Sequence, residues 1–524
     1  MVHPRIHAGT NPDRPAIIDT QSGAVMSFGE LERAANRGAH ALRALGVGPR
    51  GVVALACENR FAFMVAYWAA QRAGIILVTV STRLTAAEMS YILADSGTEL
   101  LLISTTLPAA QSGLADLRAG LPRLSVVSIG PAAGVRDWET LLADQPDTPI
   151  ADESAGCRMV YSSGTTGRPK GLLKGAVGGP VVRATGPAAM LRDNYGITPD
   201  DYYLSSAPLY HTAPLTWGVA AQEIGATLVM MPRFDPLEFL SAVKRWRVTA
   251  AQLVPTMFIR LLRLPPETRA KADLSSLRRV VHAAAPCPVP VKHAMIEWLG
   301  PILTEYYAGS EGNGSTLIHS DEWLRKPGSV GRSIMGVLHI CDDAGHALPA
   351  NEIGTIYFEG GGQFAYHNDD DKTRKSRNPL HPEWSTMGDL GYVDDDGFLF
   401  LSDRKDFMII SGGVNIYPQE IENVLLAHPA VADAAVFGVP NAEFGEEVKA
   451  VVQPVRWEDA GKELATRLTS WCREQLADFK CPRSIDFEPA LPRAETGKLY
   501  KKALKAQYWP SETVDGQSPR GGGA

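Results

Sequence analysis

The chain lacks any run of eighteen apolar residues, so no segment is expected to cross a membrane and no integral membrane contact is expected. Its first residues, Met1-Val2-His3-Pro4-Arg5-Ile6, hold no apolar h-region, and no secretory signal is expected. Cysteine is sparse. The six, at 57, 157, 287, 341, 472 and 481, are scattered without a C-x-x-C. That spacing excludes a zinc ribbon or dithiol motif and suits free or buried thiols in a reducing, cytoplasmic compartment. A surplus of basic charge is also missing. At a net charge of −7 there is no broad positive field for nucleic acid or an anionic membrane. The G-x-x-x-x-G-K-[ST] phosphate loop is absent. So is the G-x-S-x-G of serine hydrolases; Ala308-Gly309-Ser310-Glu311-Gly312 comes nearest, with alanine in first place. Gly46-Val47-Gly48-Pro49-Arg50-Gly51 spells G-x-G-x-x-G, but it follows a helix signal, precedes a strand and contains a proline. It reads as a helix stop and turn, not a dinucleotide fingerprint.

What is present is ordinary globular composition: 524 residues, 45% hydrophobic and 21% charged, enough for two to four domains' worth of core. Ser27-x-x-Glu30 is a capping box. Leu31, Ala34, Ala35, Leu42 and Leu45 then recur at helical spacing until Gly46. A strand over Val52–Cys57, a helix over Phe61–Ala73, a strand over Ile75–Val80, a second capping box at Thr85-x-x-Glu88 and a strand over Leu100–Ile103 complete a β-α-β-α-β order. That order implies a parallel sheet covered by helices. Residues 104–156 read as irregular and peripheral, and a helix is expected near 181–194.

The densest chemistry lies in Tyr161-Ser162-Ser163-Gly164-Thr165-Thr166-Gly167-Arg168-Pro169-Lys170-Gly171. Glycines let backbone N–H groups approach an anion closely. Hydroxyls of Ser162, Ser163, Thr165 and Thr166 add donors, and Lys170 adds a point charge suited to phosphate. The physical reading is a triphosphate cradle. Downstream, Pro208-Leu209-Tyr210-His211-Thr212-Ala213-Pro214 places a histidine where a chain leaves a sheet, a position at which ligands bind. Then follow Val280-Val281-His282-Ala283-Ala284-Ala285-Pro286, Tyr306-Tyr307-Ala308-Gly309-Ser310-Glu311-Gly312 and Trp384-Ser385-Thr386-Met387-Gly388-Asp389. Residues 328–405 carry strand and turn signals. A smaller α+β region opens at Ser411-Gly412-Gly413-Val414-Asn415-Ile416-Tyr417-Pro418. Pro418 suits a first helical turn, and Glu420 and Glu422 suit its positive end. Pro492-Arg493-Ala494-Glu495-Thr496-Gly497-Lys498 follows. Lys501, Lys502 and Lys505 read as a solvated helix face. Residues 511–524 read as a disordered tail.

These motifs, in this order over most of the chain, resemble the acyl-adenylate-forming superfamily, in its AMP-forming acyl-CoA synthetase branch. The resemblance implies a helix-covered α/β large domain over 1–405, with a β-rich subdomain at 328–405, and a small mobile α+β domain over 406–510 after a hinge at Asp406. It implies ATP, Mg2+ and CoA as co-substrates and cofactor, and a carboxylic acid or its adenylate as partner. The loop Ser162, Ser163, Gly164, Thr165, Thr166 and Lys170 would take the phosphates. Ala284, Ala285 and Tyr307 would flank adenine, and Ser310 would meet phosphate. Asp389 and Arg404 would reach ribose or phosphate. Glu311, a hard oxygen ligand, suits magnesium. His211 would stand between acyl group and nucleotide, Lys498 would neutralise the carboxylate and α-phosphate during adenylation, and Gly413 would border the thiol's tunnel. The family usually has glycine where this chain has Ala283, Ala284 and Ala308, and one Met is inserted in Thr386-Met387-Gly388-Asp389. Each added Cβ stands where backbone lies close to the ligands.

The expected chemistry is adenylation of a hydrophobic acid followed by thioester formation with CoA. Three alternatives stay open: thioesterification alone on a supplied acyl-adenylate, loading of a carrier-protein thiol, and an ATP-independent serine hydrolase. Low charge in the apolar segments Trp217–Ile224, Thr227–Met231 and Ala250–Leu262 points to a hydrophobic acid. The small residues at 283–285 and Gly218 suit a broad aromatic, alicyclic or polycyclic body.

Overall fold

Local signals become elements largely where they were expected. The computed structural model describes residues 1–162, 169–404, 407–441, 443–493 and 499–508. Ser27 and Glu30 cap the helix Phe28–Ala44 reciprocally, and Thr85 and Glu88 do the same for Ala86–Asp95. Backbone N–H groups that a helix start leaves orphaned are thereby satisfied. Gly46, at φ +87°, sits in the left-handed conformation that ends helices and favours glycine, so the G-x-G-x-x-G string is a turn.

Val52–Ala56 pairs in parallel with Ile76–Thr79 on one side and Leu100–Ser104 on the other. The stretch 104–156 is not peripheral. Ser125–Ile129 extends this sheet beside Leu100–Ser104, and Trp138, on the helix Trp138–Ala143, is fully buried. The strand was hard to read because serine interrupts a five-residue run, leaving neither alternation nor a continuous apolar stretch. On the other flank, Cys157–Ser162 lies parallel to Ile76–Thr79 and returns antiparallel as Lys170–Lys174. The helix expected near 181–194 runs over Gly186–Tyr195, with Thr185 as its N-cap.

A second sheet carries Pro15–Asp19, Thr227–Met230, Tyr202–Ser205, Ala250–Leu253, Arg279–His282 and Leu303–Ala308, all parallel. Leu204, Ala251, Val280 and Leu303 are register partners in one row and are buried in one core cluster. Tyr203, Ala250 and Val281 point to the opposite core, shared with the helices Phe28–Ala44, Phe61–Arg72 and Thr212–Ile224. Both faces are therefore covered, the usual condition of parallel sheets, and each buried aliphatic contributes about 1.5–3 kcal/mol. The sheet continues through antiparallel Ser315–His319 and Ser329–Met335 into strands Val337–Cys341, Gly354–Glu359, Asp389–Val393 and Leu399–Arg404.

The chain divides into two compact units, one over Met1–Leu401 and one beginning at Ser402. In the second, the long hairpin Val431–Asn441/Gly445–Pro454 is flanked by Ile409–Ser411 and Ser484–Phe487. Helices Pro418–Leu426 and Lys462–Gln475 bury Ile421, Leu425, Leu464, Leu468 and Cys472 on one face. Leu491 and Leu504 pack with Phe437 and Val451 on the other. Two expectations are corrected here. Lys501 is not solvated: it is buried and its ammonium lies 2.7 Å from Glu422. Lys505 pairs with Glu446 at 3.1 Å. Glu422, in turn, faces the core instead of decorating a helix end, and accepts the Val436 N–H at 2.7 Å. The expected tail at 511–524 lies outside the described residues. Among the described residues no helix is long and apolar enough to cross a membrane. All six cysteines are free.

Candidate active site

Parallel strands end on one edge, and Ala284, Ala285, Tyr307, Ser310 and Glu311 lie at or just beyond those ends. Tyr202–Ser205, Ala250–Leu253, Arg279–His282 and Leu303–Ala308 share direction, so the segments that follow them converge, as at ligand sites of other α/β sheets. His211 is half-buried and stands at the N-cap of Thr212–Ile224, its ring 4.5 Å from that of Tyr210. One residue on, Thr212 Oγ1 accepts a hydrogen bond from Ser310 Oγ at 3.1 Å, which brings the His211 segment against the Ser310-Glu311 turn. Glu311 Oε1 accepts from the Tyr366 hydroxyl at 2.8 Å. Tyr307 donates its hydroxyl to Asp389 Oδ2 at 2.7 Å, joining the expected adenine and ribose residues directly.

Of the three alanines, only Ala284 is strained. It holds φ +77°, a region L-residues with a Cβ occupy at a cost of about 1–2 kcal/mol. Ala285 beside it is half-buried, and Ala308 ends a regular strand paired with Ser315. Gly309 has no such freedom: a Cβ there would overlap the Met387 sulfur. The inserted methionine thus occupies the space that Gly309 leaves.

The phosphate-loop hairpin is anchored at its base. Ser162 and Lys170 are register partners, and Tyr161 donates to Asp95 Oδ2 at 2.6 Å. Lys170 forms an ion pair with Asp369, the N-cap of the helix Asp370–Lys375. Ser163, Gly164, Thr165 and Thr166 lie outside the described residues, as do Asp406 and Lys498. In the second unit, Arg404 ends its strand with its N–H on Asp403 Oδ1 at 2.6 Å. Gly412 and Gly413, at φ +57° and +81°, make the two-residue turn between Ile409–Ser411 and Val414–Ile416. Positive φ at both centres is what such a tight hairpin requires. The residues flanking 494–498 are closed by an Arg493–Leu499 bridge and by Tyr500 N–H on Pro492 O at 2.8 Å.

Sequence reasoning missed Tyr366 and Asp369, which hold Glu311 and Lys170, because no local pattern links residues so far apart. It also missed two cations beside them. Arg158 and Lys174 face each other across the hairpin. Burial pulls the Lys174 ammonium down to about 8, opposed by Glu311 and reinforced by Arg158. Burial pushes the Glu223 carboxyl up to about 7, although the Thr185 hydroxyl and Arg158 and Arg183 pull it down. No cluster of three or more His, Cys, Asp or Glu forms a metal cage among the described residues. Glu311 alone fits a cation that also takes phosphate oxygens, the manner in which magnesium binds at nucleotides.

The family model for AMP-binding enzyme matches residues 5–365, and that for AMP-binding enzyme C-terminal domain matches 420–498. The chain is 30% identical to a long-chain-fatty-acid–CoA ligase of Mycobacterium tuberculosis, over 96% of this chain and 97% of that one. It is 33% identical to the same organism's 3-[(3aS,4S,7aS)-7a-methyl-1,5-dioxo-octahydro-1H-inden-4-yl]propanoyl:CoA ligase, over 94% and 96%. ATP-bound MatB from Rhodopseudomonas palustris superposes with a TM-score of 0.82 at 29% identity, over 97% of this chain and 99% of that one. The chain belongs to the AMP-binding enzyme family, as an acid–thiol ligase of its acyl-CoA synthetase branch that uses ATP and CoA.

Proposed function

We propose that the chain activates a hydrophobic carboxylic acid with magnesium-ATP and transfers the acyl group to CoA. The observation that carries this reading is the convergence of Thr212–Ser310, Glu311–Tyr366 and Tyr307–Asp389 at the strand ends. In the first step the carboxylate attacks the α-phosphorus in line and pyrophosphate leaves. In the second the CoA thiol attacks the acyl carbonyl and AMP leaves. Side chains position groups and neutralise charge, and little covalent work is asked of them. Tyr307 and Asp389 take adenine and ribose, Lys170 and the hydroxyl loop take phosphate, and Glu311 would hold magnesium, which would spread the negative charge of the triphosphate. Lys498 serves adenylation and Gly413 thioesterification. Because the two belong to different steps, the small domain alternates about Asp406.

The acid is read as broad and alicyclic or polycyclic. The low charge of the helix Thr212–Ile224 supports that reading, and so does the likeness to a ligase named for a bicyclic acid. A second reading, thioesterification of a supplied adenylate, is favoured by the strain at Ala284 alone. The serine-hydrolase reading loses support because Ser310 donates to Thr212 Oγ1 and not to a histidine.

Incubation with magnesium-ATP, CoA and a panel of acids, followed by mass spectrometry, tests these readings. Acyl-CoA from a free acid supports the two-step ligase. Acyl-CoA only from synthetic acyl-adenylates would replace it with the half-reaction. Turnover of linear short acids alone would overturn the substrate reading.

A further inference from the structure

One face of the hairpin Cys157–Ser162/Lys170–Lys174 carries two cations, Arg158 and Lys174, that make no ion pair among the described residues. The register Ser162–Lys170, Val160–Leu172, Arg158–Lys174 puts these three rungs on the same side of the sheet. The middle rung packs on Phe364 and Tyr366. The last sets like charges directly opposite, a destabilising arrangement unless an anion answers it. Two carboxylates act on them from beyond ion-pair distance: Glu311 on the Lys174 ammonium and Glu223 on Arg158. Glu223 accepts Thr185 Oγ1 at 2.6 Å, Glu311 accepts Tyr366, and neither makes an ion pair with Arg158 or Lys174. Arg158 Nη2 donates to Thr216 Oγ1 at 2.6 Å, while its Nη1 is buried with no hydrogen-bond partner among the described residues. Lys174 Nζ stands 3.4 Å from the point a Cβ on Gly312 would occupy, next to Ser310 and Glu311. Thr216 is also bonded to Thr212 O at 2.6 Å. The Arg158 guanidinium therefore lies about 6 Å, one helical turn, from the Thr212–Ser310 contact. Along the strands the two cations are four residues, about 13 Å, from the Ser162–Lys170 rung at the base of the proposed phosphate loop.

We propose that Arg158 and Lys174 form a specificity subsite for an oxygen acceptor on the acyl substrate, a second carboxylate or a ketone, set roughly one helical turn beyond the activated carboxyl. This rests on the ligase reading above and names the substrate class within it: a largely apolar acid with a polar far end. The guanidinium offers a directed N–H and the ammonium a mobile charge, which together suit an oxygen brought into an otherwise apolar site.

The test compares three acids of one skeleton, bearing at the far end a methyl, a ketone or a carboxylate, on the wild type and on Arg158→Met and Lys174→Met. Sites built to hydrogen-bond a substrate oxygen reject the analogue lacking it, so kcat/KM should favour an oxygenated acid by about 100-fold or more. Either variant should bring that preference near parity while leaving the methyl acid's turnover unchanged. Whichever oxygenated acid is preferred identifies the acceptor. Equal turnover of the three by the wild type would overturn the proposal, as would variants that raise KM for ATP equally with every acid. Should Arg158→Met fail to fold, Lys174→Met, at a half-buried residue, must show the same loss. Calorimetric binding of the three acids in the presence of AMP reads the subsite even if no acid is turned over. In that case the ligase reading fails, and the subsite stands or falls on the binding preference.

Discussion

Ala284 holds a left-handed backbone at φ +77° in the segment proposed to flank adenine. Replacing it with glycine relieves about 1–2 kcal/mol of steric cost, offset by about 0.5–1 kcal/mol of extra chain entropy in the unfolded state. Ala284→Gly should therefore shift the urea midpoint upward slightly without lowering adenylation. A clear downward shift would show that the Cβ makes contacts worth more than the strain. Glu223 makes a pH prediction. Its carboxyl is raised to about 7 in the folded chain, so between its ordinary value and 7 the folded state binds more protons than the unfolded one. Its contribution is fully present below the ordinary carboxylate range and lost as pH rises through 7. Glu223→Gln should flatten that slope and leave the chain more stable at pH 8, by about 3 kcal/mol at most. Urea titrations of both proteins at pH 5 and pH 8 check it. At this scale the sequence was partly legible. Tyr307 and Asp389 stood out in motifs, whereas Tyr366, Asp369, Arg158 and Lys174 carried no local signal.

The second unit's last helix, Lys501–Tyr508, shows how an element is held. Lys501 and Glu422 are a buried pair, the carboxyl raised by burial and drawn down by the ammonium. Breaking such a pair strands the remaining charge. Lys501→Met should thus cost about 3–5 kcal/mol, read as faster hydrogen exchange across residues 407–441 and 443–493. Adding Glu422→Gln should restore most of it, because the amide oxygen still accepts the Val436 N–H. Failure of the double variant to recover would mean that packing, not charge, dominates the helix seat. The helix was read from the run Lys501, Lys502 and Lys505, but the burial of Lys501 was not. A lysine at helical spacing looks identical whether its partner is water or a carboxylate from an element roughly eighty positions earlier.

At the scale of the molecule, the proposed alternation assigns separate residues to separate steps. Lys498→Ala should lower adenylation by about 100- to 1,000-fold while thioester formation from a supplied acyl-adenylate continues. A substitution at Gly413 should do the reverse. Rapid-quench measurement of each half-reaction decides the matter, and equal loss in both steps would remove the division of labour. The parallel sheets explain why the first unit's part of the site assembles at all. Strands of common direction end together, so segments at 206–212, 283–285 and 309–312 meet without any sequence proximity.

Local signals in the chain were enough for most elements and their order, the stretch 104–156 excepted. Capping boxes, apolar spacing and glycine stops act over a few residues, so they are complete within the local string, and the ordered motifs pointed to the family. Tertiary structure alone decided which charges are buried, which are paired and which are left facing inward. Glu311 and Tyr366 are 55 residues apart, Tyr307 and Asp389 are 82, and Arg5 and Glu153 are 148. Desolvation and ion pairing depend on what folding brings alongside a group, and no local pattern in the chain encodes that neighbour.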